Sequence, residues 1–292
     1  MSWIIWFVGY ALVSWWLHAG RSPGSSLKES LVSSHKYSPW LSGFMLAMVG
    51  ISINQMGLVS GIMSAEGWSG MWLLWTPFIG AGFFPLIFAP LWRQLDFVSE
   101  NEFILVRYAG AWSRRLFHFR AWYVGGLVVA LILAMLAKAS MAWFSFLGWS
   151  DVQGWCCTAA LMLLGSFRGS WTEKVRSDTL HFGLVLVVLV VAFWHYSDVP
   201  NLEGSVFEKP EAGWCLPILL IFMQWWSAVI LDGGGVEAQV IMGAPSRRYA
   251  LKVAFMQQGG VACFLVAVAL IVHRYLSNGG AIHGDATIMA VM

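Results

Sequence analysis

Apolar stretches long enough to cross a bilayer recur along the whole chain, and no other feature limits its fold as strongly. A helical span needs about 20 apolar residues, with roughly 17–25 usual. Eight segments read as spans: 2–18, 39–64, 69–92, 119–147, 153–167, 177–196, 214–242 and 250–276. The segment 153–167 is short, whereas 119–147 and 214–242 are long, which implies tilt or a break. Hydrophobic residues make up 59% of the chain and charged residues 11%. Soluble domains run at about 45–50% and about 25%, so a water-soluble fold has no place to hide this much apolar surface. The expected fold is an all-α polytopic membrane protein, with residues 1–292 forming a single transmembrane domain. Segment 2–18 has no Lys or Arg before it and no evident cleavage site, so it reads as a retained helix rather than a secretory signal.

Charge placement predicts orientation. Alternate loops carry Arg21, Lys28 and Lys36; Arg93, Arg107, Arg114, Arg115 and Arg120; Arg168, Lys174 and Arg176; and Arg247, Arg248 and Lys252. These are fourteen of the seventeen Lys and Arg. The opposite loops hold only Lys209 and Arg274, and the loop 197–212 is acidic. The positive-inside rule makes the first set cytoplasmic. The expected location is therefore the cytoplasmic (inner) membrane, multi-pass, with the N-terminus outside. Between Leu95 and Tyr108 charged and apolar residues alternate, and Ser99 with Glu102 forms a capping box. That pattern predicts a short amphipathic helix on the cytoplasmic surface.

Several function classes are excluded. There is no basic run of the kind that binds nucleic acid, and no Ser-His-Asp, paired-carboxylate or phosphate-loop constellation, so no enzyme activity is expected. Cys156, Cys157, Cys215 and Cys263 have no metal or redox spacing and read as buried packing residues. His273, His283 and Asp285 do not read as a metal site, and no organic cofactor is expected.

Two spans contain sequence that disturbs a helix. In the second, Val49 to Gly57 places Gly50, Ser52, Asn54 and Gln55 at mid-membrane depth. In the seventh, Asp232-Gly233-Gly234-Gly235 follows Gln224-Trp225-Trp226-Ser227. Glycine in a helix costs about 1 kcal/mol relative to alanine, and unwound backbone survives in a bilayer only where protein or a water-filled cavity satisfies it. Taken singly, each break is also explained by glycines allowing close helix packing. Paired breaks five spans apart point to the site of a secondary transporter.

Three segments resemble the sodium:solute symporter family. Asn101 to Gly110, followed by Arg115, Phe119 and Arg120, is similar to that family's T-x-x-E-F-L-x-x-R-Y-G stretch. Ser177 to Phe182 is similar to its T-D-x-x-Q segment. Gln224-Trp225-Trp226 through Gly235 to Gln239 resembles Q-W-W…G-G-G…Q-R of a poorly characterised bacterial branch. Val240 replaces the final Arg, and His181 the Gln. The resemblance implies two inverted five-helix repeats after one extra N-terminal helix. Segment 2–18 is then the extra helix, 39–196 the first repeat, and 214–276 the first two helices of an incomplete second repeat. It implies sodium as coupling ion, held by the backbone carbonyls of Met48 and Ile51. It places solute contacts on Asn54, Gln55, Asp232, Gly233, Gly234 and Gly235, and gives Asp178 a role in cation passage. The other reading of Asp178 is an ordinary helix cap.

The expected function is sodium-coupled symport of a small organic solute, in a chain that looks truncated or partnered by a second chain supplying the missing helices. On that reading the chain alone does not drive uptake. The alternative is a sensory or non-transporting relative that binds a solute. The remaining partner is the lipid bilayer. Lys138 lies inside the fourth span, where it either snorkels or pairs with a carboxylate, with Asp232 as the candidate. Glu237 and Gln239 either line the cytoplasmic exit or sit at the interface.

Overall fold

The computed structural model describes residues 12, 37–82, 84–95, 97, 100–108, 110–146, 148–166, 171–195, 213–224 and 240–277. Among them every regular element is helical. In chain order these are α1 (Pro39–Gly50), α2 (Ile53–Gly70), α3 (Trp72–Ala81), α4 (Glu100–Arg107), α5 (Ala111–Trp122), α6 (Val129–Phe146), α7 (Asp151–Ser166), α8 (Trp171–His195), α9 (Cys215–Gln224) and α10 (Arg247–Ser277). Three helical runs, Ala111–Met141, Ser177–His195 and Arg247–Ser277, are long and apolar enough to cross a membrane. Segment 2–18 falls outside the described residues apart from Leu12.

Local chemistry explains why other apolar segments are not single long helices. The second is cut between α1 and α2. The third carries Pro77, Pro85 and Pro90, each lacking the N–H that the helical ladder requires. After α3 the backbone widens into a π stretch, Phe84–Phe88, before one α turn, Ala89–Trp92, and a 3-10 turn, Arg93–Leu95. Helix starts also differ from the apolar boundaries. Helix α7 begins at Asp151 rather than 153, because Ser150 and Gln153 cap it reciprocally: Gln153 Oε1 accepts from the Ser150 N–H at 3.1 Å, and Ser150 Oγ accepts from the Gln153 N–H at 3.4 Å. Helix α8 begins at Trp171, six residues before the apolar stretch. Helix α4 covers Glu100–Arg107, inside the expected amphipathic segment; Ser99 of its capping box lies outside the described residues.

Helix α10 is the spine. Its buried residues, among them Ala250, Val253, Gln257, Val261, Phe264, Val268 and Val272, recur at helical spacing along its full length. Helices α1 and α2 lie beside it and run in the same direction. Near its start, the Tyr249 hydroxyl donates to the Tyr37 carbonyl at 2.7 Å. That hydroxyl's one proton is thereby used, so Ser42 Oγ donates to Tyr249 Oη at 2.9 Å. At the far end the rings of Trp68 and His273 meet edge-on at 5.2 Å. Helix α8 runs the same way, with Phe182 against Phe44 at 4.8 Å and Phe193 under the Arg274 guanidinium at 4.2 Å. Helix α3 runs opposite: Trp75 packs in the cluster holding Val272, whereas Ala89, beyond its end, packs with Tyr249 and Ala250. Helix α9 follows α3, with Trp214 edge-on to Trp72 at 4.9 Å. The second, sixth and eighth apolar segments thus point one way, and the third and seventh the other.

The α1–α10 seam depends on small residues. A Cβ added at Gly43 would lie 2.3 Å from Met256 Cβ and 2.9 Å from the Val253 carbonyl oxygen. At Gly260 it would lie 2.9 Å from Ala47 Cβ, and at Gly50 3.0 Å from Val261 Cγ2. Gly43, Ala47 and Gly50 form one stripe of α1, the small-residue surface by which helices approach closely in lipid, where hydrophobicity supplies no attraction between them.

The cysteines correct a sequence expectation. Cys156, Cys215 and Cys263 are exposed and Cys157 partly so; none is buried. Apolar sequence in a membrane helix marks contact with lipid as readily as contact with the core, so the inference used for soluble proteins fails here.

Candidate functional site

The candidate site is the interruption between α1 and α2. Ile51 N–H still bonds to the Ala47 carbonyl at 3.0 Å. The chain then leaves helical geometry, with Ile51 at φ −89°, ψ 108° and Ser52 at φ −141°, ψ 158°. Bonding resumes when the Gln55 and Met56 N–H groups donate to the Ser52 carbonyl at 3.0 and 3.2 Å. Ser52 Oγ accepts from the Gln55 N–H at 3.4 Å and caps the second half. The residues explain the location. Gly50 weakens the end of α1, Ile51 and Ile53 are stiff β-branched residues, and Ser52 is a preferred cap. Helix α1 is about 18 Å long, and α2 is about 21 Å up to the kink at Gly67 (φ 61°). Neither half reaches across the roughly 30 Å hydrocarbon layer alone; their summed length exceeds it.

The expected sodium ligands, Met48 and Ile51, sit in the last turn and at the cap of α1, so both carbonyls belong to the break. Asn54 and Gln55 sit in the first turn of α2. Gln55 Oε1 is buried with no hydrogen-bond partner. The wall opposite is α10, where Gly260 and Val261 face Ala47 and Gly50. One turn earlier on α10 is Gln257, 4% exposed, whose Oε1 also has no hydrogen-bond partner. Sequence reasoning passed over Gln257. Its signal was the polar run Gln257-Gln258-Gly259-Gly260 in the middle of an otherwise apolar helix. Two buried amide oxygens that accept nothing suit a hard cation or a solute rich in N–H and O–H donors, since buried acceptors left unmatched are costly.

Asp178 is not at the break. It lies four residues before Phe182, which meets Phe44, itself seven residues before Ile51. That places it about 16 Å below the break along the bundle. It is also not the N-cap of α8, which starts seven residues earlier at Trp171. Asp178 Oδ2 is buried, and the neighbouring Ser177 Oγ lies 3.3 Å from His181 Nδ1. Asp232, Gly233, Gly234 and Gly235, and also Glu237 and Gln239, lie outside the described residues. On their C-terminal side Val240 is 1% exposed, packed in the cluster with Leu46, Ile241 and Tyr249. That apolar setting suits valine and not the arginine of the family pattern.

Lys138 is exposed on α6. Residues 121–137 between Arg120 and Lys138 carry no charge, and at 1.5 Å each they span about 26 Å, close to the hydrocarbon thickness. That spacing suits the snorkelling alternative for Lys138, which lies within the Ala111–Met141 helical run. His273 packs on Trp68, and among the described residues no group of His, Cys, Asp and Glu is placed to hold a metal ion.

No protein-family model matches this chain, and no curated protein matches it.

Proposed function

We propose that this protein binds a small organic solute together with sodium at the α1–α2 break, as a symporter of the sodium:solute type, in the cytoplasmic membrane with its N-terminus outside. The observation that carries the reading is an unwound stretch between two short helices with the buried, unmatched amide oxygen of Gln55 at its edge. In hydrocarbon such a stretch is retained only where it lines protein or a cavity. The exposed half-helix ends supply carbonyls for a cation, as in transporters with discontinuous helices. Sodium and solute that together favour one arrangement of the two halves over another would couple their movements.

The test is the melting temperature of the purified protein in sodium chloride against choline chloride at equal ionic strength, across labelled sugars, amino acids, carboxylates and nucleosides. One class should raise the melting temperature in sodium and not in choline. Ligand at a hundred times its Kd contributes about 2.7 kcal/mol. A protein indifferent to sodium and to every class would end the proposal.

Orientation is tested separately. With Cys156, Cys157, Cys215 and Cys263 replaced, Arg114→Cys should react with an impermeant thiol reagent only from the cytoplasm and Ser277→Cys only from outside. Labelling of both from one side would refute the topology.

A further inference from the structure

We infer that the N-terminal part of the Ala111–Met141 helix is a docking surface for anionic phospholipid headgroups. This 31-residue run is about 46 Å long, roughly 16 Å more than the hydrocarbon layer needs. The charge-free stretch between Arg120 and Lys138 accounts for the layer itself. The excess, Ala111–Arg120, therefore stands at headgroup depth.

Its two faces differ. Ser113 is buried, while Phe117 and Arg120 are half-buried, on the side shared with α4, which packs against this helix. On the other side Trp112, Arg115, Leu116, Phe119, Trp122 and Tyr123 follow one another at helical spacing, all exposed; Trp112 is 77% exposed and Trp122 66%. The Arg115 guanidinium sits 5.0 Å over the Trp112 ring, and Phe119 stacks on Tyr123 at 6.1 Å. Arg114, next to Arg115, is exposed as well.

Charge complementarity identifies the occupant. From Ala111 to Tyr123 the helix carries three arginines, Arg114, Arg115 and Arg120, and no Asp or Glu; Glu100 and Glu102 lie with Arg107 on the neighbouring α4. A planar guanidinium held over an indole presents its donors to a phosphate in fork geometry. Aromatic rings at the same depth belong in the interfacial zone of a leaflet. A soluble acidic partner would leave the Trp112–Trp122 stripe in water. A lipid satisfies both features at once, with its phosphate on Arg114 and Arg115 and its chains along Phe119 and Trp122.

The experiment compares the protein in nanodiscs of phosphatidylcholine alone and of phosphatidylcholine mixed with phosphatidylglycerol. The readouts are melting temperature and the phosphatidylglycerol retained in native mass spectra, with inorganic phosphate in detergent as a separate arm. Phosphatidylglycerol should stabilise the wild type and be retained. Arg114→Gln/Arg115→Gln should hold it about thirtyfold less tightly, since each basic side chain near the surface contributes comparably. That variant should melt like the wild type in phosphatidylcholine alone. If it does not, Arg114→Lys/Arg115→Lys replaces it and should retain an intermediate amount. Equal stabilisation by both lipid mixtures, full retention by the variants, or the same stabilisation by inorganic phosphate would each overturn the proposal.

Discussion

Replacing Gly43 with valine should separate α1 from α10 and leave little folded protein. Even the first added carbon would stand 2.3 Å from Met256 Cβ and 2.9 Å from the Val253 carbonyl oxygen. Neither neighbour is the free end of a flexible side chain, so relief requires the helices to part. Overpacking of a core typically costs about 1–3 kcal/mol, and valine here belongs at or above the top of that range. Parting the helices also strains the Ser42–Tyr249–Tyr37 hydrogen bonds one turn away. The companion variant is Gly259→Ala. No atom lies within 4 Å of a Cβ there, so only helix propensity changes, by up to about 1 kcal/mol in favour of alanine. Melting of the two purified variants in one detergent decides the matter. If Gly43→Val melts like the wild type, the seam is not as close as described.

Gln257→Leu should change stability and function in opposite directions. The Gln257 amide oxygen is buried without a hydrogen bond, and an unmet buried polar group costs about 1–3 kcal/mol. Leucine removes that cost at similar volume, so the variant should melt higher in choline chloride. Gln257 lies four residues, about 6 Å, before Val261, which faces Gly50 at the edge of the break; on the proposed function its oxygen extends the site along α10, so stabilisation by sodium and solute should fall by at least tenfold in apparent affinity. A variant that melts lower would mean that the amide is satisfied in the resting protein. One that melts higher and keeps the full sodium response would leave the break intact as a site but exclude Gln257 from it.

Much of the local structure was legible in the residues. Ser38 and Pro39 start α1 where the apolar stretch begins, since serine caps and proline fits the first turn. Gly50-Ile51-Ser52-Ile53 marked the break, because each residue either weakens a helix or prefers its edge. Helix limits were less legible wherever polar residues extend a helix past its apolar part. Ala111 and Trp171 begin helices whose first turns carry Arg114 and Arg115, or Lys174 and Arg176. Hydropathy reports what lipid tolerates and not where backbone bonding starts. The reading of Asp178 as a cap shifted for that reason.

By itself the sequence determined the all-helical class, the length that crosses a membrane, the alternation of charge and the position of the break. Each of these depends on residues close together in the chain. Only the tertiary structure decided which helix faces the break. Nothing local joins residues 43–50 to residues 253–261; what pairs them is that glycine and alanine on one helix fit against side chains on the other. The same contact turned Gln257 from one amide in an apolar run into a buried group one turn from Gly260, and left the four cysteines outside the core. In lipid apolar character does not separate inside from outside, so burial is settled by shape complementarity between distant segments.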